Sequence, residues 1–154
     1  MNYGTIKYAD IANGPGVRTC LFVSGCRRGC KGCFNFLVQN FNFGEPFTSK
    51  TAQDIIDSLA PDYIAGLTVL GGEPMEPENQ HGLVDLFERV RRAYPHKAFG
   101  ATQATPTKKS ARAVFTTPTS RIAFWPVLMC WSTALSRKIC TTSRCVFAGR
   151  PISV

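Results

Sequence analysis

At 154 residues, 44% of them hydrophobic, the chain suits one domain around one modest core. No apolar run reaches the roughly 18 residues that a membrane helix needs. The opening "MNYGTIKYAD" lacks the basic flank and apolar stretch of a secretion signal, so the expected compartment is the cytoplasm. The net charge of +8 suggests nucleic-acid binding at first sight, but its distribution argues against it. Residues 1–100 hold ten Lys/Arg and ten Asp/Glu, while residues 101–154 hold eight Lys/Arg and no acid. The excess comes wholly from the second part.

In chain order, "NGPG" at Asn13–Gly16 is strong turn chemistry. The β-branched and aromatic run that follows, Val17–Ser24, predicts a buried strand. That strand delivers its C-terminal end into "GCRRGCKGC", where Cys26, Cys30 and Cys33 are spaced C-x3-C-x2-C. The next segment, "NFLVQNFNFGEPFT", reads as a packed aromatic loop. A helix capped by Thr48 or Ser49 is predicted over Lys50–Leu59, with Ile55, Ile56 and Leu59 on its apolar face.

Leu67–Leu70 reads as a short buried strand, stopped by Gly71 and Gly72 of "GGEP". A second helix is predicted over Gly82–Tyr94, because Leu83, Phe87, Val90 and Tyr94 fall on one face. Strand, loop and helix repeated in this order predict a parallel α/β fold. Ligands of such folds sit beyond the C-terminal ends of the strands, where both the cysteine loop and "GGEP" fall. From residue 98 onward the periodicity fails, and an irregular tail is expected.

Seven cysteines, an odd number in a reducing compartment, argue for metal or redox chemistry over a disulfide framework. Three thiolates can hold three irons of a [4Fe–4S] cluster and leave the fourth open to a substrate. Gly25, Gly29 and Gly32 would let the loop turn sharply around it. Arg27, Arg28 and Lys31 add positive charge beside the thiolates, or are simply solvated. Zinc is the alternative metal, yet its usual second cysteine pair or histidine pair is missing: His81 and His96 lie on or past the second helix. Cys20 reads as a core residue. Cys140 and Cys145 read as incidental. The plainer reading of Glu73 is a solvated turn residue, and that of Phe34 is ordinary core packing.

A three-cysteine loop after one strand, with "GGEP" after the next, resembles the radical S-adenosylmethionine (SAM) superfamily. More closely, "DIANGPGVRTCLFVSGCRRGCKGCFN" and "GGEPMEPEN" resemble the anaerobic ribonucleoside-triphosphate reductase activating proteins, which are small glycyl-radical-enzyme activases. The resemblance covers about residues 1–97, the expected domain, and implies an incomplete parallel (β/α) barrel. It implies that Cys26, Cys30 and Cys33 bind a [4Fe–4S] cluster whose fourth iron takes the amino and carboxylate groups of SAM. Gly71, Gly72, Glu73 and Pro74 match the segment that meets the SAM amino group. Gly32, Cys33 and Phe34 match the place where backbone and an aromatic ring lie near adenine.

The implied reaction is one-electron reductive cleavage of SAM, giving a 5′-deoxyadenosyl radical that takes hydrogen from a glycine of the partner reductase. A flavodoxin-like donor is implied as well, with no nucleic-acid or membrane partner. Two alternatives are a pyruvate formate-lyase-type activase and a non-catalytic zinc or iron–sulfur module.

The family continues with further strands and helices where this chain turns acid-free. At ordinary composition, residues 101–154 should carry about six acids. A one-base slip near residue 98 accounts for their absence. Codons constrained by the residues present over 99–110 and 128–153 permit out-of-frame strings with normal acid content that resemble the family's C-terminal half. The expectation is therefore a radical SAM core over 1–97 and a frameshifted tail over 98–154. Such a chain should lack part of its barrel and be unstable or inactive. Restoring the frame is expected to raise reductive SAM cleavage, measured as methionine released; equal activity from both chains would refute the slip.

Overall fold

The computed structural model describes residues 1–104, 111–116, 146–147 and 150–151. They fall into two compact units, Met1–Pro118 and Thr119–Val154. The second is described only by the two-residue strands β7 (Val146–Phe147) and β8 (Arg150–Pro151), numbered last in the chain, which pair antiparallel.

The first unit is a six-stranded mixed sheet with two helices. Its elements are β1 (Asn2–Asp10), β2 (Val17–Val23), β3 (Glu45–Pro46), α1 (Ser49–Ser58), β4 (Ile64–Gly71), α2 (Pro77–Ala93), β5 (Ala98–Ala104) and β6 (Ala111–Thr116). The strand order is β3-β1-β2-β4-β5-β6. The central trio β2, β4 and β5 is parallel, and the outer pairings are antiparallel. This is the α/β class expected, with parallel pairing confined to the three strands joined by helical crossovers.

Helix α1 starts where the sequence marked it. Thr48 caps it, its hydroxyl accepting from the Thr51 amide at 3.2 Å while the Thr51 side chain accepts from the Thr48 amide. Ile55, Ile56 and Leu59 are buried, as their spacing predicted. Ser58 of α1 meets Thr19 of β2 at 2.9 Å, which seats the helix on the sheet. Helix α2 begins five residues earlier than its apolar face indicated, because Pro77 occupies its first turn. Leu83, Leu86, Phe87 and Val90 face inward, and Phe87 packs edge-on against Phe99 of β5, with centroids 5.6 Å apart. Full burial of each such side chain is worth about 1.5–3 kcal/mol.

Two cations brace the strands from within. Arg18 of β2, wholly buried, donates to Thr68 Oγ1 at 2.6 Å and to the carbonyls of Leu67 and Ala98, each at 3.0 Å. One guanidinium thus spans β2, β4 and β5. Lys97 is nearly buried and donates through Nζ to the carbonyls of Pro61 and Ile64.

Three features depart from the sequence reading. β1 lacks a clear pattern, yet it pairs along β2 with two register shifts, and Ala9 takes a positive φ of 55° beside the second. The aromatic segment contains a short 3₁₀ turn, Phe36–Gln39, and β3, which pairs with β1. Strands β5 and β6 occupy part of the stretch expected to be irregular. The ladder uses backbone groups, so Ala98, Phe99, Gly100 and Ala101 can pair with β4 whatever side chains lie downstream.

Gly66 marks the tightest of these contacts, since a Cβ there would stand 1.8 Å from the Ala98 carbonyl oxygen. The change Gly66→Ala must push β4 from β5 and is expected to cost about 1–3 kcal/mol. A lowered urea midpoint at unchanged slope would register that loss; an unshifted midpoint would contradict the close packing.

Candidate functional site

The parallel pairing of β2 with β4 sets Val23 opposite Gly71. The cysteine loop leaves the first strand at that level and the "GGEP" turn leaves the second, so the sheet brings the two motifs together. They are then joined backbone to backbone: the Gly72 amide donates to the Val23 carbonyl at 2.8 Å and the Glu73 amide to the Gly25 carbonyl at 2.9 Å. Gly71 has a φ of +110°, and a Cβ there would meet the Val23 carbonyl oxygen at 2.6 Å. A Cβ on Gly72 would meet the Gly25 carbonyl oxygen at 2.5 Å. Both positions therefore require glycine.

The other wall of the loop is aromatic. Gly25, at φ +98°, lies against Phe41, whose ring a Cβ would approach to 2.3 Å. The Gly25 and Cys26 amides donate to the carbonyls of Val38 and Gln39 at 2.7 and 3.0 Å. The packed aromatic segment is thus the shelf on which the loop rests.

Cys26, Cys30 and Cys33 are free thiols; Cys30 is exposed and the other two half-buried. Burial raises the Cys26 thiol pKa above its ordinary value. Cys20 is wholly buried, and burial pushes its pKa up to about 12, which makes it a core residue and no ligand.

Among the described residues, no three His, Cys, Asp or Glu side chains gather to hold a single metal ion. A tetrahedral zinc site needs such convergence. A [4Fe–4S] cluster asks instead for three thiolates around one cubane, each on a separate iron. Three reduced thiols, partly open to solvent on a glycine-rich loop beside a backbone-lined turn, are a donor set that fits the cluster.

Arg27 and Arg28 of the loop are not merely solvated. Arg27 places its backbone amide 2.9 Å from Glu76 Oε1 and its guanidinium 2.7 Å from Glu76 Oε2. It also pairs with Glu78 and lies over the Phe41 ring, 4.4 Å from the centroid. The cysteine loop is thereby tied to the first turn of α2. Arg28 donates to Glu73 Oε2 at 3.2 Å, and Glu73 Oε1 accepts from the Met75 amide at 3.1 Å. Glu73, only 4% exposed, is no solvated turn residue.

Phe34 departs from its core reading, being 96% exposed beside Cys33, with Phe36 and Leu37 exposed next to it. Pro74 is buried, and Gly32 and Gly71 flank the thiols and the turn. The sequence reading assigned no role to Phe41, Glu76, Glu78 or Asn79. The last three stand in the quoted "EPEN", whose acids directly before a helix were the available signal.

The family described as "4Fe-4S single cluster domain" matches residues 12–113. Curated relatives are each named anaerobic ribonucleoside-triphosphate reductase-activating protein. That of Enterobacteria phage T4 is 40% identical over 97 residues, 63% of this chain and 62% of the relative. That of Escherichia coli strain K12 is 40% identical over 99 residues, 63% of this chain and 64% of the relative. That of Haemophilus influenzae is 41% identical over 99 residues, with the same coverage. The chain thus spans less than two thirds of the length of these relatives. No solved structure matches it.

The Arg27 pair gives the site a pH signature. The Arg27 guanidinium holds the exposed Glu78 carboxyl down at about 2, below its ordinary 4.5. A depressed carboxyl supports the folded state fully above the unfolded pKa and loses that support as pH falls through its folded value. The tie should therefore persist above about pH 4.5 and fail toward pH 2. A carboxyl-carbon titration by NMR is expected to give Glu78 a midpoint near 2, moving toward 4.5 in Arg27→Gln; a midpoint near 4.5 in the unaltered chain would contradict the pairing.

Proposed function

The chain belongs to the 4Fe-4S single cluster domain family, and from that premise we propose that it activates an anaerobic ribonucleoside-triphosphate reductase. The proposed activity is that of a radical SAM oxidoreductase, which makes a glycyl radical on the reductase. The observation that carries the reading is the junction of the two motifs, with Glu73 N–H on the Gly25 carbonyl. The names and roughly 40% identity of the relatives support it. The parallel strands β2, β4 and β5 are the part of a (β/α) barrel that this chain would contribute.

In this reading, Cys26, Cys30 and Cys33 hold the cluster as thiolates. A cluster held there would supply the one-electron reduction of SAM. Gly71, Gly72, Glu73 and Pro74 form the edge that would receive the SAM ammonium, since backbone carbonyls and a carboxylate accept its hydrogens. Gly32 and Phe34 offer backbone and an exposed ring to the adenine. Arg28 and Arg27 offset carboxylate and thiolate charge while fixing the loop.

A flavodoxin-like donor and a cytoplasmic location complete the proposal. Among the described residues, no helix is long and apolar enough to cross a membrane. Residues from about 98 onward are taken as out of frame, and the acid-free composition and the aligned lengths of 97 and 99 residues support that reading.

Anaerobic reconstitution with iron and sulfide tests it. The chain should gain a [4Fe–4S] spectrum, and with its frame restored that spectrum should change on adding SAM. Replacing Cys26, Cys30 or Cys33 with Ala should reduce bound iron to background, while Cys20→Ala should leave it unchanged. One equivalent of zinc with no SAM effect would instead make the chain a binding module.

A further inference from the structure

Asn79 is wholly buried in the first turn of α2. Its Nδ2 donates to the Ser24 carbonyl at 3.0 Å and to the Glu73 carbonyl at 3.1 Å. Ser24 directly precedes Gly25 and Cys26, and Glu73 is the carboxylate of the facing turn. A single carboxamide thus grips both halves of the site from the helix beneath. Its orientation follows from its partners, since two carbonyl acceptors can be met only by the NH₂ end.

The buried Oδ1 of Asn79 and the buried Oγ of Ser24 have no hydrogen-bond partner in the described structure. A side chain present only to fill space would be better apolar, because a buried unpaired oxygen costs about 1–3 kcal/mol. What Asn79 offers against that cost is its pair of donors.

We propose that Asn79 is a positioning residue that holds the cysteine loop and the Gly71–Pro74 turn at one fixed separation. The proposal rests on the reading that these two segments bind a cluster and SAM. The backbone bonds from Gly72 to Val23 and from Glu73 to Gly25 join the segments to each other. Asn79 adds the attachment of both to α2. Arg27, through Glu76 and Glu78, makes a parallel attachment further along the loop.

The test uses the full chain with Asn79→Leu, which keeps bulk and loses the donors, and Asn79→Ala as a second variant. Amide exchange in the metal-free chain should quicken by about tenfold at Gly72 and Glu73 and stay unchanged at Ile55 and Ile56 of α1. After reconstitution, the iron content should match the unaltered chain. With the frame restored, the SAM concentration that half-shifts the reduced cluster's paramagnetic resonance signal should rise about tenfold, the effect of about 1.4 kcal/mol. Unchanged exchange at Gly72 and Glu73 would overturn the proposal. So would uniformly faster exchange with a lowered melting temperature in both variants, which would make Asn79 a general structural residue. If the frame-restored chain takes up no cluster or shows no SAM response, the functional reading fails, and exchange alone decides the role of Asn79.

Discussion

Two strand ends approach so closely that their backbones hydrogen-bond, and the candidate site depends on this contact. The Val23 and Gly25 carbonyls receive the Gly72 and Glu73 amides across a gap with no room for a Cβ on either Gly71 or Gly72. The contact satisfies amides that a strand end would otherwise leave unpaired. It also sets a short spacing between a thiol loop and a carboxylate turn. Side chains then reinforce what the backbone began: Arg28 with Glu73, Arg27 with Glu76 and Glu78, and Asn79 beneath both segments.

Four of the ten basic residues in the first hundred are placed structurally. Arg18 and Lys97 are buried on carbonyls at the strand starts, while Arg27 and Arg28 serve the loop at the opposite end. Burial of a cation is tolerable only where its donors are met. None of these four is a free basic surface group.

Periodicity and punctuation made several elements legible. Val17–Val23 and both helices showed in β-branched runs and in apolar residues spaced by one helical turn. Strand β1 did not, because a strand with mixed exposure and register shifts has no clean alternation. The start of α2 was hidden because its first turn, "PENQ", is polar. There the helix is defined by proline and by Asn79, which faces inward for its hydrogen bonds and not for its hydrophobicity.

The sequence alone determined the chemistry: three cysteines in a glycine loop, a "GGEP" turn after the next strand, and a change of composition near residue 100. These are readable because ligand type, turn chemistry and charge are properties of short segments. Only the tertiary structure decided which groups meet. It set Glu73 on Arg28, placed the Phe41 ring under Gly25, left Phe34 exposed, and drew Asn79 beneath two carbonyls 55 and 6 residues away. Such contacts arise from the register of β2 against β4 and from the seat of α2. Long-range pairing of this kind leaves no periodic trace in the chain.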